Sequence, residues 1–150
     1  LPSLFSNEFK KLQENKVNLT IHAGEGDGVN SIQDALDNGA KRIGHGVRII
    51  EDIDLKTGNF GSTATYILEN QIPLEICITS NIHTNMFNDF TDHPIKKLID
   101  FNFAISINTD NRLMSNTNIK KESSIAKNLN IENVDNLLEV SASYSFLNNY

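Results

Sequence analysis

The tightest constraint on this chain is an alternation. Four short apolar runs start near residues 17, 42, 74 and 103, and a stretch of helical periodicity follows each. Val17, Leu19 and Ile21 carry the first, at 17–22. KRIGHG at 41–46 is the second, LEICITS at 74–80 the third, and residues 103–107 the fourth. Apolar runs of this length, bounded by Gly, Pro, Asn and Asp, read as strands. Strands separated by helices need crossover connections, which are right-handed and make the sheet parallel. The sequence thus predicts an α/β fold and one unit over residues 1–150. Four such units are half of a (β/α)8 barrel, which typically takes ~250 residues.

The helices are placed by apolar spacing and end signals. Phe5, Phe9 and Leu12 predict a helix over 5–15, with Ser3 or Ser6 as N-cap. A second helix over 30–38 buries Ile32, Ala35 and Leu36 and has Gly39 as its C-cap. A weak helix at 48–55 and a loop at 58–61 precede a third helix over 62–70, which buries Ala64, Ile67 and Leu68. Pro73 opens the third strand, where a missing N–H does little harm. A polar loop spans 81–92. Pro94 reads as the N1 residue of a helix reaching Asp100, capped by Asp92 or His93. Helices at 119–129 and 134–146 close the chain.

Composition narrows the partners. The net charge of −6 comes with no Lys/Arg stripe, so neither a nucleic acid nor an anionic membrane surface is expected to bind. No run approaches the ~18 apolar residues of a membrane helix. Cys77 is the single cysteine and falls mid-strand, which predicts a core thiol, no disulfide framework and a reducing cytoplasm. The chain opens on Leu1 rather than methionine, so a piece of a longer protein is expected.

The polar residues at the strand ends are His22 and Glu25, then His45, then Ser80 and Asn81, then Asp110 and Asn111. Parallel strands bring these to one face, where such folds carry their chemistry. Two histidines and an aspartate are the ligand types of a hydrolytic zinc site, and such a metal lowers the pKa of bound water to ~7. Glu25, three residues past His22, is placed as a proton shuttle. Gly24, Gly26 and Gly28 serve backbone geometry, because their spacing is not the GxGxxG of a phosphate cradle. Ser80 and Asn81 read as structural hydrogen-bonders, His83 as a surface-loop residue and His93 as a cap. The HxE…PCxxC pattern is absent, which excludes the nucleic-acid zinc deaminases, and the absence of HExxH disfavours a metalloprotease.

LTIHAGEG, RIGHGVRIIED, IPLEICITSN and ISINTDNRLMS, in this order and spacing, resemble the adenosine deaminase family of metal-dependent aminohydrolases. The resemblance covers essentially the whole chain. It implies a (β/α)8 TIM barrel of the metal-dependent hydrolase type, of which this chain supplies about strands five to eight. It also implies Zn2+ and hydrolytic conversion of adenosine to inosine and ammonia in purine salvage, with a small purine nucleoside as partner. By motif position His22 is similar to a zinc ligand, and Glu25 to the acid that protonates N1 of the purine. His45 matches the histidine that orients the attacking hydroxide, and Asp110 the aspartate that contacts zinc and accepts the water's proton. Asn111 falls where animal enzymes have an aspartate bonded to purine N7, and an Asn amide can donate that bond. Ile78 stands in place of a common proline. The family's other two zinc ligands form an HxH pair on the first barrel strand, and no HxH occurs here. Two alternatives stay open: an adenine deaminase of the same family, or a non-catalytic, incomplete barrel. Such a fragment, inactive alone, would pair with the missing N-terminal half or self-associate through its exposed edges.

Overall fold

The first apolar run becomes strand β1, Leu19–Ala23, in a computed structural model that describes residues 1–149. A 3-10 turn, Pro2–Phe5, and helix α1, Ser6–Glu14, precede it. Neither expected serine caps α1. Its N-cap is Phe5, and the Ser6 hydroxyl donates to the Ser3 carbonyl instead, at 2.8 Å. Val17 lies outside the strand and is exposed, because Lys16 turns the chain there at φ 57°.

Helix α2, Val29–Asp37, closes at Asn38 and Gly39 and leads into β2, Ala40–His45. The weak helix of the sequence is a 3-10 segment, Val47–Asp52. An antiparallel ribbon that the sequence reading lacked follows it, β3, Ile53–Asp54, against β4, Asn59–Phe60. Asp54 knits the ribbon's turn, accepting from the Lys56 N–H at 2.9 Å and the Thr57 hydroxyl at 2.7 Å. Helix α3, Ser62–Glu69, then delivers the chain to β5, Leu74–Ile76.

The third apolar run departs most from expectation. Its strand stops at Ile76, and residues expected to extend it form helix α4, Ile78–His83. Cys77 turns the chain between them. Ile78 stays fully buried on the helix, so its apolar side chain is satisfied either way. The Glu122 carboxylate accepts the Thr79 N–H at 3.2 Å, serving one of the orphan donors of the new helix's first turn. Cys77 is buried, just past the strand rather than within it. The expected loop at 81–92 therefore starts as helix and ends as a 3-10 turn, Phe90–Asp92.

Pro94 is the N-cap of helix α5, Ile95–Asp100, one position before the expected N1. His93 does the capping, its Nδ1 accepting the Ile95 N–H at 3.2 Å. Strand β6, Ile105–Ile107, is followed by α6, Ile119–Asn128, capped by Asn118, and by α7, Val134–Ser143. The last helix stops three residues short of the expected end.

The four longer strands form one sheet in the order β1-β2-β5-β6, every neighbouring pair parallel. Ile21 aligns with Ile43, Ile43 with Leu74, and Leu74 with Ile105. Ile43, Leu74, Ile76 and Ile105 are almost wholly buried. Burial of each such side chain is worth about 1.5–3 kcal/mol. Because the strands run one way, their carboxyl ends share an edge, and β1 and β6 form the outer margins. Among the described residues no helix is long and apolar enough to cross a membrane.

Candidate active site

The turn after β1 is glycine-dependent. Gly24 has φ +66°, and a Cβ there would lie 2.5 Å from Ile32 Cδ1. Its N–H donates to the Ser31 hydroxyl at 2.9 Å, and Arg48 reaches over to the Gly26 carbonyl at 3.1 Å. Thus braced, the loop holds Glu25 over the carboxyl edge of the sheet.

His22 packs against the neighbouring strand. Its register partner is Gly44, and a Cβ at that position would come within 2.3 Å of His22 Cδ2. His45, at the end of β2, is 2% exposed and holds a left-handed backbone at φ 63°, a conformation that costs a non-glycine residue about 1 kcal/mol or more. Burial lowers its pKa from the ordinary value; the Glu25 carboxylate opposes that shift and His22 reinforces it. The ring is therefore neutral at physiological pH.

Glu25 Oε2 lies 3.4 Å from His45 Nε2, and its Oε1 lies 3.4 Å from both Asn81 Nδ2 and Thr84 Oγ1. Asn81 Nδ2 is also 3.2 Å from His45 Nδ1. Asp110 comes to the same edge from β6 with φ 51°, and its Oδ2 accepts the Ser80 hydroxyl at 2.7 Å. Asp110 and His22 both act electrostatically on His45. Asn111 is exposed, and its Oδ1 accepts the Met114 N–H at 3.0 Å, a turn bond that leaves the amide nitrogen as its donor end. A cleft of about 310 Å3 opens beside Glu25, lined among others by Arg48, Thr84 and Phe87.

The edge thus carries a carboxylate against a neutral imidazole, with a second imidazole and a second carboxylate nearby. The family model for adenosine deaminase matches residues 2–148.

The chain belongs to the adenosine deaminase family.

It is 39% identical over 125 residues to an adenosine deaminase from Mycobacteroides abscessus, a match covering 81% of this chain and 34% of the relative. Identity is 42% to adenosine deaminase 1 of Streptomyces coelicolor, over 81% of this chain and 32% of that one. The chain spans about a third of the length of the curated relatives it matches. In three dimensions it is similar to an amidohydrolase from Burkholderia ambifaria with bound zinc, at TM-score 0.80 and 18% identity, covering 97% of this chain and 40% of that one. The fold is the parallel α/β architecture of the barrel-type amidohydrolases and deaminases.

For a zinc ion the donor types fit and the donor count is short. His22 and Asp110 offer the imidazole nitrogen and carboxylate oxygen that zinc takes, but a shell needs three or four protein groups. Among the described residues no group of three or more His, Cys, Asp and Glu is close enough to hold a metal ion. His83 is exposed at the end of α4, while His93 is buried, its Nε2 3.2 Å from Asn81 Oδ1. The sequence reading placed Asn81 at a strand end and His93 only as a cap. Both belong to the buried polar hub of this edge. The available signal was local and partial: Ser80 and Asn81 are polar residues closing the apolar run LEICIT, and such groups must find partners when buried, whereas His93 lies in a polar stretch that gives no such hint.

Proposed function

We propose that this chain is the carboxyl-terminal half, about strands five to eight, of a (β/α)8 deaminase that uses zinc. The reaction converts adenosine, or a related 6-aminopurine nucleoside, to inosine and ammonia in purine salvage. One observation carries this reading. In a member of the adenosine deaminase family, the Glu25 carboxylate faces His45 and Asn81 at the edge that also receives His22 and Asp110. The match covers only about a third of the family's named relatives, so the remaining zinc donors would come from outside these 150 residues.

Zinc, when bound, supplies hydroxide at neutral pH. His22 and Asp110 are the donors this chain would offer it. Glu25 is the acid that delivers a proton to N1 of the purine and so makes C6 electrophilic. His45, neutral and buried, orients the incoming water oxygen, and Asp110 accepts the water's proton. The C6–O bond forms, Asp110 passes the proton it took from water to the amino group, the C6–N bond breaks and ammonia leaves, and the C6 hydroxyl proton returns to Glu25. Asn111 Nδ2 donates to N7. The 3.4 Å contacts around Glu25 suit a site that tightens only around its substrate. The buried thiol of Cys77, its pKa pushed far up by burial, takes no part and fits a reducing cytoplasm.

The test is ammonia release by the complete zinc-loaded protein from adenosine, 2′-deoxyadenosine and adenine side by side. Inosine from adenosine is expected. Preference for the free base would move the assignment to adenine deamination, and no product from any of the three would overturn the reading. The 150 residues alone, with zinc added, are expected to give no turnover.

A further inference from the structure

One hydrogen-bonded chain at this site has its polarity set from outside it. The Ile95 N–H, in the first turn of α5, donates to His93 Nδ1 at 3.2 Å, and a peptide N–H can do nothing else. His93 is 5% exposed, and burial holds its pKa down to about 3, so the ring is neutral. With Nδ1 accepting, its one proton sits on Nε2, which stands 3.2 Å from Asn81 Oδ1. That oxygen accepts, and the Asn81 nitrogen is turned toward His45 Nδ1, 3.2 Å away. An amide nitrogen only donates, so His45 Nδ1 accepts, and the ring's proton lies on Nε2, 3.4 Å from Glu25 Oε2.

The opposite amide orientation fails twice. It would set the Asn81 oxygen against Glu25 Oε1, which now lies 3.4 Å from the amide nitrogen, and it would aim the His93 proton at an NH2 group. Asn81 is fully buried, so water offers neither error a remedy. The Phe87 ring packs on His93 at 5.0 Å between centroids and closes the hub from the other side.

We infer that Asn81 is a positioning residue, its amide oriented by His93, which fixes His45 in the tautomer protonated on Nε2 and facing Glu25. The tautomer follows from geometry, and only its catalytic consequence rests on the deaminase reading. In that reading His45 presents a hydrogen-bond donor to the reacting oxygen, and its Nδ1 is committed to the protein.

The experiment is a long-range 1H–15N spectrum of the intact protein labelled with 15N-histidine. His45 is expected to show a pyridine-type Nδ1 and a pyrrole-type Nε2. Asn81→Asp places an acceptor where the donor stood, and is expected to abolish the pyridine-type Nδ1 signal. His93→Leu frees the amide to turn and should mix the two tautomers, whereas His93→Gln, which keeps a donor near the position of Nε2, should restore the original pattern. In the active enzyme, Asn81→Asp is expected to lower kcat by about 10- to 100-fold. KM should stay within about two-fold, the pattern of a group that matters in the transition state. A wild-type His45 protonated on Nδ1, or a spectrum unmoved by Asn81→Asp, overturns the inference. The wild-type spectrum decides the tautomer alone, so a variant that does not fold does not protect it. Absence of turnover in every variant and in wild type would sink the deaminase reading and leave the tautomer result standing.

Discussion

The imidazole of His22 stands edge-on to that of His45, with ring centroids 5.0 Å apart and planes at 87°. This contact exists because strand β2 has no side chain at Gly44, over which the His22 ring lies. An exposed ring is thereby held against a buried one, and its freedom to rotate is given up before any ligand arrives.

Gly44→Ala tests that arrangement. A methyl group at 2.3 Å from Cδ2 forces the His22 ring away. In the complete protein, zinc affinity is expected to fall by at least about ten-fold, the usual cost of misorienting a metal-binding imidazole. Zinc titration against a competing chelator measures it. Unchanged affinity would mean that His22 does not bind the metal in the pose described.

On the proposed mechanism, His22 and Glu25 separate by role. His22→Ala in the complete protein is expected to lose zinc. Glu25→Gln is expected to keep zinc and lose turnover by about 100-fold or more, because a glutamine has no proton to deliver to N1. Metal content by atomic absorption and ammonia release, measured on the same samples, check both. Retained activity in Glu25→Gln would remove the shuttle role.

Glu122 carries a structural test at a distance from the chemistry. It is fully buried, accepting the Thr79 N–H at 3.2 Å and the Thr117 hydroxyl at 2.5 Å. Glu122→Ala strands both donors, at about 1–3 kcal/mol for each buried group left unpaired. Urea unfolding is expected to show a loss of about 3 kcal/mol, with Glu122→Gln losing less. A loss below about 1 kcal/mol would show that α4 does not depend on this carboxylate.

Stability should depend on acid through His93. Its folded pKa is held down to about 3 by burial, whereas the unfolded chain titrates near the ordinary histidine value of ~6.5. The folded state therefore keeps its full contribution above about pH 6.5. As pH falls from there toward 3 the unfolded state takes the extra proton, and stability declines by up to about 1.4 kcal/mol per pH unit. Urea midpoints between pH 4 and pH 7 measure the slope, and His93→Gln should flatten it. An equally steep slope in the variant would assign the acid sensitivity elsewhere.

The alternation of strands and helices was legible because each signal was local. Ile21, Ile43, Leu74 and Ile105 announce their strands, and Gly39 falls at a helix end. Convergence of Glu25 and His45 followed from parallel topology alone. What stayed hidden depended on distant partners. Ile76, Cys77 and Ile78 read as one strand, and only Glu122, forty-three residues beyond Thr79, supplies the acceptor that favours a helix there. Asn81 then moves from a strand end onto α4, fully buried. For His93 one ring nitrogen was legible as a cap, but the second could be assigned only once Asn81 was in place beside it. The β3–β4 ribbon was missed because its strands are two residues each, too short for any period to show.

The four main strands follow one another across the sheet in chain order, with no swap of neighbours. Every group from His22 to Asp110 therefore travels on a single uninterrupted length of polypeptide. A splice at either flank would move this machinery as a cassette, with its internal distances intact. On the deaminase reading, such an exchange would replace what lies outside these residues, so new pocket walls could be trialled without disturbing the groups proposed to handle protons.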